Sequence, residues 1–421
     1  MSSNFLIPYR KKDKWGFYSS ADKKIVIPCT YLNASVFADV PALNEELAIV
    51  EEDGLVGKIQ FYVNKKGEKA IKLSHKYLWV TAYSNDKALC FAKVALKKFS
   101  GIKIGVIDEQ GRYIAKCEFE DCALLTDGDR EREKILPVNR NHKWGVVSSY
   151  GDRVFPFIFD HIHNYSEGFA VCIFGLKESL GASKRYNKGL IQIPEAACYG
   201  FIDKKGNIVN NKFFYKAAKS CSEGLAAVQK PMDKKADETG RWGFINTEFE
   251  DATAFVYEDA KSFSNGMAAV KHNEKWGFID KNGIAVIDFK YEDVISFFKS
   301  LHEEDDNGLA AVKLNDQWGF IDKAGNEVIE FKYENTSGFY NGIAAVCINN
   351  KWGFINNKGQ LIIPCKYDWI VEKQNKTNIF KYNPNARLDK DFTFSNGQLI
   401  KVCLNNKLGF IDVEGKEYWE N

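Results

Sequence analysis

The sequence has almost no excess of charge of either sign: 58 Lys and Arg residues against 56 Asp and Glu residues give a formal net charge of +2. This balance excludes a general attraction to nucleic acid or to an anionic membrane. Long apolar runs are missing too, since no stretch approaches the roughly 18 apolar residues of a membrane span. Near the first residue, the short apolar run 5–8 precedes the basic residues, which is the reverse of a secretory signal. We therefore expect a cytoplasmic protein with no membrane partner.

Signature motifs of enzymes are also missing. The sequence contains no glycine-rich phosphate loop before Lys-Ser or Lys-Thr, no Gly-x-Ser-x-Gly elbow and no His-Glu-x-x-His pair. Among the six histidines only His161 and His163 are close together, and we interpret them as a polar strand end because no third metal ligand can be named. The sequence predicts a protein that is not an enzyme and that has no catalytic residue, metal or cofactor.

The ten cysteines are not arranged like a disulfide framework. One repeated position, elsewhere phenylalanine, holds Cys29, Cys117 and Cys365. A second, elsewhere Gln or Lys, is assigned to Cys172, Cys347 and Cys403. Because residues that cannot form disulfides alternate with cysteine at both positions, we expect reduced thiols, as in a cytosolic protein.

What the sequence does contain is a repeat. The dipeptide Trp-Gly begins at Trp15, Trp144, Trp242, Trp276, Trp318 and Trp352. We interpret four other dipeptides as degenerate copies: Val56-Gly57, Ile104-Gly105, Tyr199-Gly200 and Leu408-Gly409. The spacing runs from 34 residues (Trp242 to Trp276) to 56 (Trp352 to Leu408). Periods of this size are typical of solenoids, propellers and arrays, so we predict one array over residues 1–421.

The shortest unit has three segments, "NGMAAVKHNEK", "WGFID" and "GIAVIDFKYED". Runs of β-branched and aromatic residues between Gly, Asn and Asp indicate strands. The second and third segments are joined by Asp or Asn, two polar residues and Gly, as in Asp280 to Gly283, which is typical of a tight turn.

We interpret the Trp-Gly-Phe motif as packing. In a strand, Trp276 and Phe278 face one way, while Gly277 faces the other and leaves room for a neighbouring backbone or ring. Small residues such as Ala268 and Ala269 would face the Trp of a neighbouring unit and so set the spacing between repeats.

These residues resemble the WG-repeat family, whose unit reads KWGFIDxxGxxVIPxxYDxA. The resemblance extends from about Phe5 to Trp419. It implies a protein of bacterial type that serves as an interaction module, and it supplies no catalytic residues.

The fold class predicted is all-β, a repeat array of about ten three-stranded units forming an open solenoid or superhelix. The alternative is a closed β-propeller-like ring, whose blades normally have four strands.

Three insertions interrupt the array, at residues 172–198, 229–240 and 371–392. The first two extend the connection between the first and second segments, and the third follows the third segment. The first contains a basic patch that is either a partner-binding surface or a solvated loop: Lys177, Lys184, Arg185 and Lys188.

One repeated position, two residues after the aromatic that ends the third segment, is Asn or Asp in most units. Three units differ there: Trp79, His161 and Trp369. Because Trp is favoured at binding hot spots, we predict that these residues contact a partner, with local packing as the alternative.

A basic residue precedes the Trp-Gly position in several units: Lys14, Lys143, Arg241, Lys275, Lys351 and Lys407. Such a ladder would either track single-stranded nucleic acid or protect strand edges and keep the array soluble. The function we predict is a non-enzymatic scaffold for protein–protein binding, for example a bacterial immunity, antagonist or adaptor protein. The alternative is a nucleic-acid-binding array that uses the ladder.

Overall fold

The structure is a computed structural model of the 421-residue chain. It describes residues 6–35, 37–54, 57–71, 73, 77–81, 88–96, 99–122, 135–148, 153–163, 165–175, 198–205, 207–209, 215–231, 240–297, 308–339, 342–370, 399–405, 407–412 and 415–419.

The described residues divide into two compact units, each built from β-strands. Unit 1 contains Met1–Ser220 and Asn421, and unit 2 contains Cys221–Glu420. The strands of unit 1 are β1 Leu6–Lys11, β2 Lys14–Ser19, β3 Lys24–Tyr31, β4 Asn33–Ala34, β5 Ala38–Val40, β6 Glu45–Gly54, β7 Gly57–Val63, β8 Lys69–Ile71, β9 Tyr77–Val80, β10 Ala88–Leu96, β11 Phe99–Ile107, β12 Tyr113–Phe119, β13 Asp121–Cys122, β14 Ile135–Arg140, β15 Lys143–Ser148, β16 Arg153–Phe159, β17 His161–Ile162, β18 Phe169–Phe174, β19 Cys198–Asp203 and β20 Ala217–Ala218. A 3₁₀ turn lies at Pro41–Leu43.

The strands of unit 2 are β21 Leu225–Lys230, β22 Arg241–Asn246, β23 Asp259–Ala260, β24 Ala268–His272, β25 Lys275–Ile279, β26 Ala285–Tyr291, β27 Asp293–Ile295, β28 Ala310–Leu314, β29 Gln317–Ile321, β30 Glu327–Tyr333, β31 Asn335–Thr336, β32 Ile343–Ile348, β33 Lys351–Asn356, β34 Leu361–Tyr367, β35 Trp369–Ile370, β36 Leu399–Leu404, β37 Lys407–Asp412 and β38 Glu417–Trp419. The prediction of an all-β array of repeated sheets is confirmed. The described residues include no helix long and apolar enough to cross a membrane.

A typical sheet has four antiparallel strands in sequence order, as in β23-β24-β25-β26 and β27-β28-β29-β30. Three of these strands are the predicted segments, and the structure adds a fourth. The added strand is short and comes directly after the aromatic that ends the preceding unit; β27, for example, pairs with β28. Two or three residues are too few to show the period of two that reveals a strand in a sequence. Four antiparallel strands are also the strand count of a propeller blade.

Trp276 and Trp318 pack between two sheets, as predicted. One buried cluster contains Trp276 and Phe278 of one sheet together with Ala310, Val312 and Ile321 of the next. The same arrangement recurs one repeat later, where Trp318 and Phe320 pack with Ala344 and Val346. The small side chains of the first segment therefore receive the Trp of the preceding unit, which fixes the spacing of these repeats.

The glycine of the motif lies against its own third strand. A Cβ atom built on Gly277 would lie 2.7 Å from the Ile287 carbonyl oxygen and 2.9 Å from the Phe289 ring. The register shifts here, because Trp276 pairs with Tyr291 while Phe278 pairs with Ile287. The bulge and the missing side chain together bring the third strand close, which confirms the predicted close approach.

The Asx turns also form as predicted. Such a turn connects the second and third segments of one repeat and contacts the preceding repeat. Asp322 Oδ1 accepts the backbone N–H groups of Ala324 (2.9 Å) and Asn326 (2.8 Å). The turn ends at Gly325, whose φ is +83°. A Cβ atom there would meet the Ile287 side chain of the preceding sheet at 3.3 Å. Glycine is therefore required both by the backbone conformation and by the contact between repeats.

Two alignments made from the sequence were wrong. In the second repeat Tyr62 pairs with Ile71, as Phe278 pairs with Ile287, so the Trp-Gly position is held by Gln60-Phe61 rather than Val56-Gly57. Cys347 and Cys403 share a position, since they pair with Trp352 and Leu408, but Cys172 pairs with Gly200 and lies one position away. The structure describes all ten cysteines, and none of them is joined in a disulfide.

Candidate binding surface

The aromatic candidates lie on the short strand that each sheet receives from the preceding repeat. Trp79 lies in β9 opposite Phe91, His161 begins β17 opposite Ile173, and Trp369 begins β35 opposite Cys403. The side chains of Trp79 and Trp369 lie outside the described residues. The His161 ring is half-buried and packs edge-on against Trp144, with 4.8 Å between the ring centroids.

Asn and Asp have a local role at this position. Asp293 Oδ1 accepts the N–H of Val294 at 2.8 Å, and Asn335 Oδ1 accepts the N–H of Thr336 at 2.9 Å. This bond fixes the backbone at the start of the short strand. The Trp side chain has no hydrogen-bond acceptor, so Trp79 and Trp369 cannot form this bond.

His161 and His163 are close, with 4.8 Å between their ring centroids. Within the described part of the chain, no group of three or more His, Cys, Asp or Glu side chains is placed to hold a metal ion. His161, at the start of β17, packs on Trp144, and His163 packs on His161.

Several members of the basic ladder form ion pairs. Lys143 Nζ lies 2.5 Å from Asp160 Oδ1, with both side chains at most one-tenth exposed, and Lys351 Nζ lies 2.5 Å from Asp368 Oδ1. Lys14 pairs more loosely with Asp53, at 3.9 Å. Arg241 is half-buried and Lys275 is exposed, while the side chain of Lys407 lies outside the described residues. The paired lysines present less net positive charge than the sequence indicates.

The acids that follow the closing aromatics connect one repeat to the next. Glu334, which follows Tyr333, accepts the backbone N–H groups of Asn349 (2.8 Å) and Asn350 (2.9 Å) in the hairpin turn of the following sheet. These hydrogen bonds, with that of Asn350 first, lower the pKa of the Glu334 carboxyl. Asp368 has the same role and also binds Lys351, whose ammonium group is the main cause of the lowered pKa of Asp368.

The three insertions lie largely outside the described residues, and the basic patch in the first one lies wholly outside them: Lys177, Lys184, Arg185 and Lys188. The first two insertions connect neighbouring antiparallel strands, β18 to β19 and β21 to β22. The third lies between β35 and β36, which pair through Trp369 and Cys403.

An exposed apolar row, which was not predicted from the sequence, lies on the outermost strands of unit 2. We call the following residues the outer row: Ile284 (63% exposed), Val286 (45%), Val328 (45%) and Leu361 (50%). They lie in or directly before β26, β30 and β34, each of which ends the strand order of its sheet. The pleat of β26 explains the exposure, since Ile287, Phe289 and Tyr291 face inward while Val286, Asp288 and Lys290 face outward.

The outer row also carries charges of both signs. Asp288 and Lys290 are exposed on β26, and Glu330 and Lys332 on β30, with 3.3 Å between Lys332 Nζ and Glu330 Oε2. The contact between Gly325 and Ile287 places the start of β30 beside the middle of β26. The turn before β30 therefore lies against β26. Val286 and Val328 hold the same position in these two strands, whereas Leu361 aligns with Ala285 and Glu327.

Comparison with known families agrees with this architecture. The profile described as WG containing repeat matches seven stretches, at residues 104–129, 144–171, 199–230, 242–276, 276–318, 318–352 and 352–372. The chain belongs to the WG-repeat family. In this WG-repeat protein the matched stretches extend through both compact units. A search of curated proteins found no match.

Solved structures share little sequence with the WG-repeat protein. One described as a crystal structure of the eukaryotic initiation factor has 10% identity and a TM-score of 0.47, over 86% of this chain and 96% of that chain. The Dos1 propeller has 11% identity and a TM-score of 0.36, over 98% and 96%. The β-propeller domain of the Trilobed protease from Pyrococcus furiosus has 8% identity and a TM-score of 0.29, over 99% and 97%.

Proposed function

We propose that this WG-repeat protein is a non-enzymatic scaffold that binds a protein partner through the outer row of unit 2. The observation that carries the proposal is the exposure of Val286 and Val328, which hold equivalent positions in consecutive sheets. Ile284 and Leu361 are also exposed, at the starts of outer strands. Exposed apolar residues that form a patch edged by polar groups mark interaction sites, whereas single scattered ones do not.

A protein partner suits this surface better than nucleic acid does. Binding to a phosphate backbone draws on unpaired positive charge. On the outer strands Asp288 and Glu330 alternate with Lys290 and Lys332, and in the ladder Lys143 and Lys351 are paired with carboxylates. A surface with aliphatic side chains and both signs of charge complements another protein with a similar mixture.

The proposal also covers the kind of partner protein and the cellular location. An immunity or antagonist protein would use the outer row to cover a toxin or effector, and an adaptor would use it to hold a binding protein in place. Ten cysteines without a disulfide between them support a cytoplasmic location.

The test is a pull-down from nuclease-treated lysate of the source organism, followed by reconstitution with the purified captured protein. The variant carries Val286→Asp and Val328→Asp. Val26→Asp is the matched control, because Val26 holds the same strand position in unit 1 and is 36% exposed. Burying one valine is worth about 1.5 kcal/mol, so the double variant should bind at least tenfold more weakly while the control binds normally.

Retention of the captured protein by the double variant would overturn the proposed site. Recovery of nucleic acid that is released at moderate salt would instead favour the ladder. Failure of the wild type to retain any protein at near-equal stoichiometry would count against the scaffold itself.

A further inference from the structure

Two cysteines of unit 1 meet across the middle strand of one sheet. Cys90 lies on β10 opposite Gly105 of β11. Cys117 lies on β12, on the other side of β11, between the residues that pair with Ile104 and Val106. The two Sγ atoms are 3.6 Å apart, which is van der Waals contact between sulfurs.

The repeat itself creates this meeting point. Glycine at the Trp-Gly position has no side chain, and the bulge in the third strand lets that strand fold over it. The third-strand residue therefore reaches the first strand in several sheets: Cys29 Sγ lies 3.5 Å from the Tyr9 carbonyl oxygen, and Cys365 Sγ lies 3.8 Å from that of Val346. Cys117 Sγ lies 3.5 Å from the Cys90 carbonyl oxygen in the same way, but here the first-strand residue is a second thiol.

The two thiols differ in exposure. Cys117 is half-buried, with its Sγ 3.8 Å from the hydroxyl of Tyr113, whose side chain is 42% exposed. Cys90 is 0% exposed. The neighbouring Cys90 thiol lowers the pKa of Cys117, whereas burial raises the pKa of Cys365 at the equivalent position. A more exposed thiol with more thiolate character reacts first with an oxidant.

We propose that Cys90 and Cys117 form a reversible oxidation site that closes to a disulfide in response to a small-molecule disulfide such as oxidised glutathione. The Cys117 thiolate attacks one sulfur of the small disulfide, forms a mixed disulfide and releases one thiolate. Cys90 loses its proton and displaces the second small thiolate, which leaves the Cys90–Cys117 bond. Two protein thiols are oxidised, and one small disulfide is reduced to two thiols.

The geometry requires only a small movement. A disulfide bond is about 2.05 Å long, so the sulfurs must approach by roughly 1.5 Å. The sulfurs are already in contact, Cys90 lies opposite Gly105, and Cys117 lies in the bulge of β12, so the approach begins from rotation of the two side chains. Transient disulfides of this kind are typical of redox sensing in reducing compartments.

The experiment exposes the reduced full-length protein to oxidised glutathione and maps its disulfides under non-reducing conditions by mass spectrometry. The expected product is a Cys90–Cys117 cross-link without bound glutathione. In Cys90→Ser, glutathione should remain attached to Cys117, because no thiol is left to displace it. In Cys117→Ser, Cys90 should stay reduced. Cys365 is the internal control, since it faces Val346 and should carry at most bound glutathione.

Three results would overturn the proposal. The first is stable glutathione on Cys117 of the wild-type protein, which would mean that Cys90 does not reach it. The second is a cross-link that joins Cys90 or Cys117 to a different cysteine, and the third is no cross-link while other thiols react. Circular dichroism of both serine variants establishes that they are folded, so a missing cross-link cannot reflect unfolding.

Discussion

Phe339 packs on Phe320 with 4.8 Å between the ring centroids and an interplanar angle of 59°. Phe320 belongs to the Trp-Gly-Phe strand, and Phe339 lies in the connection between two strands of the following sheet. The same pairing joins Phe278 to Phe297 at 5.1 Å and Phe244 to Phe263 at 4.7 Å. The loop phenylalanine thus completes the core between two repeats.

Replacing Phe339 by alanine should therefore destabilise unit 2. Phe339 is 3% exposed, and Phe320 is 0% exposed. Removing a buried ring and leaving a cavity costs about 3–5 kcal/mol, which urea unfolding would measure. Phe339→Leu is the control, and it should cost under about 1.5 kcal/mol because it keeps most of the volume. A loss below about 1 kcal/mol for Phe339→Ala would show that the ring is not part of the core.

Replacing Gly277 by alanine tests the close approach of the third strand. The new Cβ would lie 2.7 Å from the Ile287 carbonyl oxygen, so β25 and β26 must move apart. We expect a loss of about 1–3 kcal/mol in the free energy of unfolding. Gly266→Asn is the matched control, because nothing lies within 4 Å of that position and Asn tolerates its φ of +83°. Equal stabilities of the two variants would contradict the assignment of the close contact.

The aromatic exceptions can be tested by comparing binding with stability. We expect Trp79→Ala and Trp369→Ala to weaken binding of the protein captured by the wild type without lowering the melting temperature. His161→Ala is the contrasting variant, because the His161 ring packs on the buried Trp144 and its loss should lower the melting temperature. A clear loss of stability in both Trp variants would indicate local packing instead.

Local rules made much of this fold predictable. The turn from Asp322 to Gly325 and the strand from Gln317 follow from side-chain hydrogen bonding, left-handed glycine and alternation within a few residues. The short strand Asp293–Ile295 was missed because its pairing partner, Ala310–Leu314, is distant in the sequence. The second repeat was misaligned because Gly57 imitates the motif, whereas the turn at Asn64 identifies Gln60-Phe61 as the equivalent pair.

The candidate surface was less predictable, because exposure depends on neighbouring sheets. The lysine before Trp-Gly predicts a positively charged surface. In the structure Lys351 is paired with Asp368, which directly follows the third strand of the same sheet. Val286 and Ile287 are adjacent and similar in the sequence. The pleat buries one of them and exposes the other, and only the arrangement of strands identifies which.

Acid should weaken the contacts that carboxylates make between and within repeats. The N–H groups of Asn350 and Asn349 lower the pKa of Glu334, and the Asn326 side chain and backbone lower the pKa of Asp322. The backbone N–H of Ile284 is the main cause of the lowered pKa of Asp280. In the unfolded chain these groups keep their ordinary pKa values near 4, so in mild acid the unfolded state binds more protons than the folded state.

The stabilisation from these carboxylates is therefore fully present above about pH 5 and is lost as the pH falls through about 4 toward the lowered folded values. Urea unfolding midpoints between about pH 7 and pH 3 should show this decline. The chain supplies its own control in Asn356, which forms the same turn by accepting the N–H groups of Lys358 and Gln360, each at 3.0 Å. A protein with Asp280→Asn and Asp322→Asn should keep both turns and lose part of the acid dependence. If its decline in acid matches the wild type, the turn carboxylates are not the source, and Glu334→Gln then tests the contact between sheets.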